Sequence, residues 1–224
     1  MKRYVALLRG INISGKNKIA MSELKAGFAE LGYTAVSTYL NSGNVVFCAD
    51  IDDKEGLSNE IRSMINKRFG LDIPVFVVSQ EELEDILKNA PEWWGDSNKE
   101  IYDNLIFMFP NISYDSFYNE VGNPKEEYEK IYHYKNVIFW SFSRKDYQKT
   151  NWWSKTASSK ISDRITIRTA NTVRKNSRAL EIMKPERTRR AAVAAMAKPR
   201  RPVHREKWPG YWKYSFRSRL VMAR

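Results

Sequence analysis

Four segments of this 224-residue chain are unbroken apolar runs where a half-wet antiparallel strand would alternate polar and apolar side chains: Tyr4-Val-Ala-Leu-Leu8, Val45-Val-Phe-Cys48, Pro74-Val-Phe-Val-Val78 and Leu105-Ile-Phe-Met-Phe109. A strand of that kind needs cover on both of its faces. The segments between the runs say what kind of sheet they belong to. Met21 to Leu31 carries Leu24, Phe28 and Leu31 at helical spacing before Gly32. Val36 to Leu40 and Val45 to Phe47 flank Asn41-Ser42-Gly43-Asn44, whose residues readily adopt positive φ, which predicts a hairpin. Lys54 to Phe69 places Leu57, Ile61, Met64, Ile65 and Phe69 on one stripe and stops at Gly70. With strands at Tyr4–Arg9 and Pro74–Val78, the order is strand-helix-strand-strand-helix-strand, that of a ferredoxin-like split βαβ plait.

The same order is expected a second time. After a helix from Gln80 through Leu87 and the stretch Pro91-Glu-Trp-Trp94, Asn104–Phe109 reads as a strand and Tyr114–Val121 as a short helix. Glu127–Tyr134 and Val137–Phe142 form a hairpin over Lys135-Asn136, a helix spans roughly Tyr147–Lys160 with Trp152-Trp153 interrupting it, and Arg164–Arg168 is the last strand. A closing helix covers about Asn171–Met183. The expected class is α+β, with two ferredoxin-like antiparallel-sheet domains at 1–79 and 80–184. Helices cover one face of each plait, so the other must meet the second sheet or another subunit.

Residues 185–224 differ in composition, with Arg, Ala, Pro and Trp replacing the Ile, Lys, Asn and Tyr of the body. The formal charge of +12 is concentrated there: the segment holds twelve Lys or Arg and two Glu, leaving the body at +2. It reads as a poorly ordered basic tail, either a native arm or a frameshifted, read-through or fusion-derived end. The single Cys48 excludes a disulfide framework, and with only His133 and His204 there is no zinc-type ligand set. With no signal-peptide core and no apolar stretch of membrane-spanning length, the expectation is a cytoplasmic protein that does not enter a membrane, monomeric or homodimeric, and no cofactor is implied.

The segments Arg3-Tyr-Val-Ala-Leu-Leu-Arg-Gly-Ile-Asn-Ile-Ser-Gly-Lys-Asn-Lys-Ile19, Met21-Ser-Glu-Leu24, Thr38-Tyr-Leu-Asn-Ser-Gly-Asn-Val-Val-Phe47 and Arg168-Thr-Ala-Asn-Thr-Val173 together resemble an uncharacterised bacterial family, domain-of-unknown-function family 1697, over roughly residues 1–184. The resemblance implies two ferredoxin-like plaits and brings no activity, cofactor or catalytic residue. The chain has Thr169-Ala170 where that family more often has Asn-Trp.

Gly10-xxxx-Gly15-Lys16 has the spacing of a phosphate-binding P-loop, but Asn17 stands where a magnesium-ligating Ser or Thr belongs and the helix begins only near Met21. Topology favours a different reading. The first and third strands of such a plait are antiparallel neighbours, so loops 10–18 and 41–44 share one edge. That gathers Arg9, Asn12, Lys16, Asn17, Lys18, Asn41, Ser42 and Asn44 into a patch suited to phosphate or carboxylate. The plainer alternative is that these residues only shape two turns.

No catalytic set accompanies the patch, and the balance leans away from an enzyme. Ser42 has no histidine nearby, Cys48 lies in an apolar strand, and Glu126, Glu127 and Glu129 read as a wet strand edge. In the second hairpin, Tyr128, Lys130, Tyr132 and Tyr134 share a face with Val137 and Phe139, which suits the sheet interface better than base stacking, since an RNP-type motif is missing. The alternative to an anion site is nucleic-acid binding through the tail, by Lys207, Trp208, Trp212, Lys213, Arg217 and Arg219. An enzyme of unassigned reaction is the third reading.

Overall fold

The structure, a computed structural model, describes residues 1–183 apart from Leu40, Ser42 and Ser97. Strand β1 (Lys2–Leu8) leads to helix α1 (Met21–Glu30), the hairpin of β2 (Thr34–Tyr39) and β3 (Asn44–Ala49), helix α2 (Lys54–Phe69) and strand β4 (Val75–Ser79). Local chemistry sets the boundaries. The Asp53 carboxylate accepts the Gly56 N–H at 3.0 Å to start α2, and Gly70 closes it at φ 67°. Helix α3 (Gln80–Lys88) follows β4 directly, opened by a capping box between Ser79 and Glu82.

The second unit runs β5 (Ile101–Met108), α4 (Tyr114–Val121), β6 (Glu129–Tyr134), β7 (Val137–Ser143), α5 (Trp152–Ser158), β8 (Ile165–Thr169) and α6 (Ala170–Ile182). The two sheets have equivalent orders, β2-β3-β1-β4 and β6-β7-β5-β8, and every pairing is antiparallel. Each is the split βαβ arrangement, so the chain is α+β with two such sheets.

The unbroken apolar strands follow from the layering. On β1, Tyr4, Ala6 and Leu8 face α1 and α2 with Val45, Phe47, Val75 and Val77. Val5 and Leu7 face the other way, joining Val46, Phe76 and Val78 against Leu105, Phe107, Val137 and Phe139 of the second sheet. Phe76 lies 5.4 Å from Phe107 and 5.5 Å from Phe109 between ring centroids. Leu83 and Ile86 of α3 and Val173 and Leu180 of α6 complete this shared core. The outer face of the second sheet, with Ile106, Met108, Ile138 and Trp140, packs on Phe117 of α4 and Trp152 of α5. Each sheet therefore has helices on one side and the other sheet on its second side.

Two expectations are corrected. Glu129 is not part of a wet edge; it is 3 % exposed, and its carboxylate accepts N–H groups from Lys125 (2.9 Å), Asn151 (2.7 Å), Trp152 (3.4 Å) and the Trp140 indole (3.0 Å). Those bonds also divide the expected 147–160 helix. The Asn151 and Trp152 N–H groups turn to Glu129 instead of to carbonyls four residues back, so a 3₁₀ turn at 147–149 ends and α5 begins anew. Tyr134 packs against the shared core as expected, while Tyr132 remains 44 % exposed beside Phe139.

Phe107 is fully enclosed at the centre of the shared core. Phe107→Ala should lower unfolding free energy by about 3–5 kcal/mol in a denaturant titration, because the facing sheets cannot collapse onto the void.

Candidate functional site

Loops 10–18 and 41–44 meet through backbone and amide hydrogen bonds. Leu8 N–H donates to the Gly43 carbonyl at 2.8 Å, extending the β1–β3 ladder into the hairpin turn. Gly43 has φ 74°, and a Cβ there would fall 2.8 Å from the Leu8 Cβ and carbonyl oxygen, so only glycine allows this approach. Asn12 joins the loops: its Nδ2 donates to the carbonyls of Ile19 and Asn41, each at 3.0 Å, and its Oδ1 accepts Ile19 N–H at 2.9 Å. Asn17 Nδ2 donates to Gly10 O at 2.9 Å, and a tight turn forms between Ile13 and Lys16. Asn12, Ser14 and Asn17 have φ of 55°, 49° and 47°. Three non-glycine residues in the left-handed region within one loop mark a conformation that its surroundings impose.

The eight residues singled out in the sequence separate into distinct places. Lys16, Lys18 and Asn41 are exposed at the surface. An open depression of about 450 Å³ lies between the loops, lined by Asn12, Gly15, Lys18, Ile19, Met21 and Asn41. It opens at the start of α1, where Ala20 occupies the N-cap position and offers no side-chain acceptor. The first intrahelical bond is Leu24 N–H to Ala20 O at 3.0 Å, so the N–H groups of Met21, Ser22 and Glu23 precede the ladder. Asn12 and Asn17 are occupied in shaping the loop. Arg9 turns away, its Nη1 donating to Ile165 O at 2.6 Å, and Ser42 lies outside the described residues. The helix begins four residues after Asn17 and β1 has only antiparallel neighbours, so the P-loop geometry is not formed.

Asn44 is fully buried, on the side of its hairpin that faces the second sheet. Its Oδ1 accepts Arg168 Nε at 2.8 Å and Asn176 Nδ2 at 3.3 Å. Arg168, near the end of β8, spreads its other donors over Leu8 O (2.8 Å), Gly43 O (3.4 Å), Thr166 Oγ1 (2.9 Å) and Ile167 O (2.8 Å). One guanidinium thus grips the end of β1, the hairpin turn and its own strand. Arg168 keeps some exposed surface, but protein atoms crowd its charged head; desolvation, with a smaller push from Arg9, lowers its pKa to about 10, which still leaves it charged at neutral pH. Sequence reasoning placed Arg168 in a recognisable motif without assigning it a task. The usable signal was a lone arginine among the β-branched residues of the strand Ile165-Thr-Ile-Arg-Thr169.

The remaining reactive groups do not join the site. Cys48 is buried, and desolvation pushes its thiol pKa up. The His133 ring stacks on Tyr114 with centroids 3.9 Å apart, and its Nε2 lies 2.6 Å from Lys135 O. Among the described residues, no cluster of His, Cys, Asp and Glu could hold a metal, and no helix is long and apolar enough to cross a membrane. Lys207, Trp208, Trp212, Lys213, Arg217 and Arg219 lie outside the described residues.

The family model described as "Protein of unknown function (DUF1697)" matches residues 1–139, and the chain belongs to that family. The late motif containing Arg168 falls beyond the matched stretch. None of the curated proteins matches. A solved structure of a conserved bacterial protein from Streptococcus pneumoniae is similar with a TM-score of 0.70 and 32% sequence identity, covering 80% of this chain and 98% of that one.

Replacing Arg168 strands several buried acceptors at once. Arg168→Met should cost roughly 2–4 kcal/mol of unfolding free energy, since each buried acceptor left unsatisfied costs about 1–3 kcal/mol. Arg168→Lys should recover only part of the loss, because an ammonium cannot reach acceptors spread around a planar fork. Paired denaturant titrations of the two variants give the comparison.

Proposed function

We propose that this member of the family binds a small anionic ligand, bearing a phosphate or carboxylate, in the depression between loops 10–18 and 41–44. The observation that carries the reading is the start of α1. Ala20 and Met21 at the helix start line the depression, no N-cap side chain accepts the first-turn N–H groups, and Lys18 and Asn41 line the same depression. A helix N-terminus carries partial positive charge and ready donors, and a nearby ammonium adds a full charge. The left-handed backbone at Asn12, Ser14 and Asn17 supports the reading, since held strain of this kind clusters at ligand clamps. Glu23 in the first turn opposes an anion in part, but it is paired with Arg68 at 2.7 Å.

The ligand-contacting set under this proposal is Lys18, Asn41 and the α1 N–H groups, with Lys16 supplying charge from the loop tip. Asn12, Asn17 and Gly43 build the loops, and Arg9, Asn44 and Arg168 hold them on the second sheet. Binding is recognition without assigned chemistry.

Titrating inorganic phosphate, and citrate as a carboxylate probe, into isotope-labelled protein tests this reading. The amide signals of Gly15, Met21, Ser22 and Glu23 are expected to shift in a saturable, salt-sensitive way, and Lys18→Ala should weaken the response about tenfold. Shifts confined to other surfaces, or equal affinity in Lys18→Ala, would refute it.

A further inference from the structure

A second surface is independent of the loops. Strand β4 is the outer strand of the first sheet. Arg9 N–H donates to Pro74 O at 3.0 Å, and the β1–β4 register continues through Leu8↔Val75, Leu7↔Phe76, Ala6↔Val77 and Val5↔Val78. Ladder bonds of an antiparallel pair alternate sides, so Phe76 and Val78 direct their N–H and C=O groups at β1. Those of Val75 and Val77 point to the open edge. The Leu8 N–H bond to Gly43 on the opposite side of β1 obeys the same alternation. Ser79 N–H is taken by Glu82 Oε2 at 3.1 Å, so the open stretch is Val75–Val77.

This edge lies at the bottom of a groove. Helix α2 forms one wall with Ser58, Asn59 and Arg62; Phe109, Pro110 and Arg164 form the other, enclosing about 470 Å³. Exposed edges are normally blunted by bulges, charges or prolines within the strand. The first sheet's opposite edge follows that rule: β2 has a register break between Thr34 and Ser37, with Ala35 at φ 52°. Val75-Phe76-Val77 carries no such device, and its protection is only the two walls.

We infer that the β4 groove binds an extended peptide segment of a partner protein by strand addition. The segment exchanges backbone hydrogen bonds with Val75 and Val77, which lie about 7 Å apart along the strand. Its residues opposite Val75 and Val77 point toward α2, where Ser58, Asn59 and Arg62 favour polar side chains. The residue between them points toward Phe109 and Pro110 and favours an apolar one. The recognised pattern is therefore polar-apolar-polar. A second copy of this chain does not fit the slot, because its own β4 sits between an equivalent helix and loop that would meet these walls.

A display library of random linear heptapeptides, selected against the full-length protein, tests the inference. Enriched peptides should show the polar-apolar-polar alternation, and a synthetic binder should protect the Val75 and Val77 amides from hydrogen exchange. Val77→Pro removes one outward donor and leaves the bonds to β1 intact, so it should weaken the peptide about tenfold; Val77 also packs in the core under α2, so its Tm should fall, and binding is compared at a temperature where the variant is folded. Asn59→Trp, which fills the groove from α2, should weaken it as well and serves if Val77→Pro does not fold. Failure to enrich any peptide, undiminished binding in both folded variants, protection elsewhere, or concentration-dependent dimerisation through β4 would overturn the inference.

Discussion

The packing of the two sheets face to face is the constraint on which the rest of this structure depends. Val5, Leu7, Val46, Phe76 and Val78 have no helix of their own plait to cover them, and Leu105, Phe107, Val137 and Phe139 are in the same position. Each half therefore carries an apolar face that the other half, with α3 and α6 at the flanks, removes from water. Area burial dominates the favourable side of folding, so separating the sheets would expose the apolar side chains of this whole shared core. Helices α3 and α6 do not belong to either split βαβ unit; they close the flanks of the shared core and lengthen the contact.

The site inherits its shape from that packing. With the sheets locked, Arg168 on β8 reaches across to Leu8 O, Gly43 O and Asn44 Oδ1, fixing the end of β1 and the β2–β3 turn from the second sheet. Asn12 then carries the order outward to Asn41 and to the start of α1. A chain of contacts thus links the shared core to the exposed Lys16 and Lys18. The residues nearest the core maintain the geometry, and those furthest from it are available to a ligand.

Elements with a strong local signal were legible in the sequence. The unbroken runs at Tyr4–Leu8 and Leu105–Phe109 announced double-sided cover, and the strand and helix order identified both plaits. The meeting of loops 10–18 and 41–44 followed from strand adjacency alone. What escaped reading depended on partners remote in sequence. Glu129 looked like a surface carboxylate because its donors come from Trp140, Asn151 and Trp152, and nothing local to Glu129 signals them. Arg168 was obscure for a related reason: most of its acceptors are backbone carbonyls, which carry no residue identity. Asn44, read as a ligand donor, has the same polar chemistry inside the protein that it would have at the surface, and only tertiary placement separates the two.

A shared core of this kind requires that the two sheets unfold together. With Trp208 and Trp212 replaced by phenylalanine, the remaining tryptophans, Trp93, Trp94, Trp140, Trp152 and Trp153, lie in the second half of the described chain, so tryptophan fluorescence follows that half. Methyl NMR signals of Leu24, Val45 and Ile61, in the core between the first sheet and its helices, follow the other. Recorded over one denaturant series, both sets are expected to change at a single shared midpoint, as one cooperative unit requires. Loss of the native methyl signals at a clearly different denaturant concentration would contradict the claim that the shared core holds the protein together.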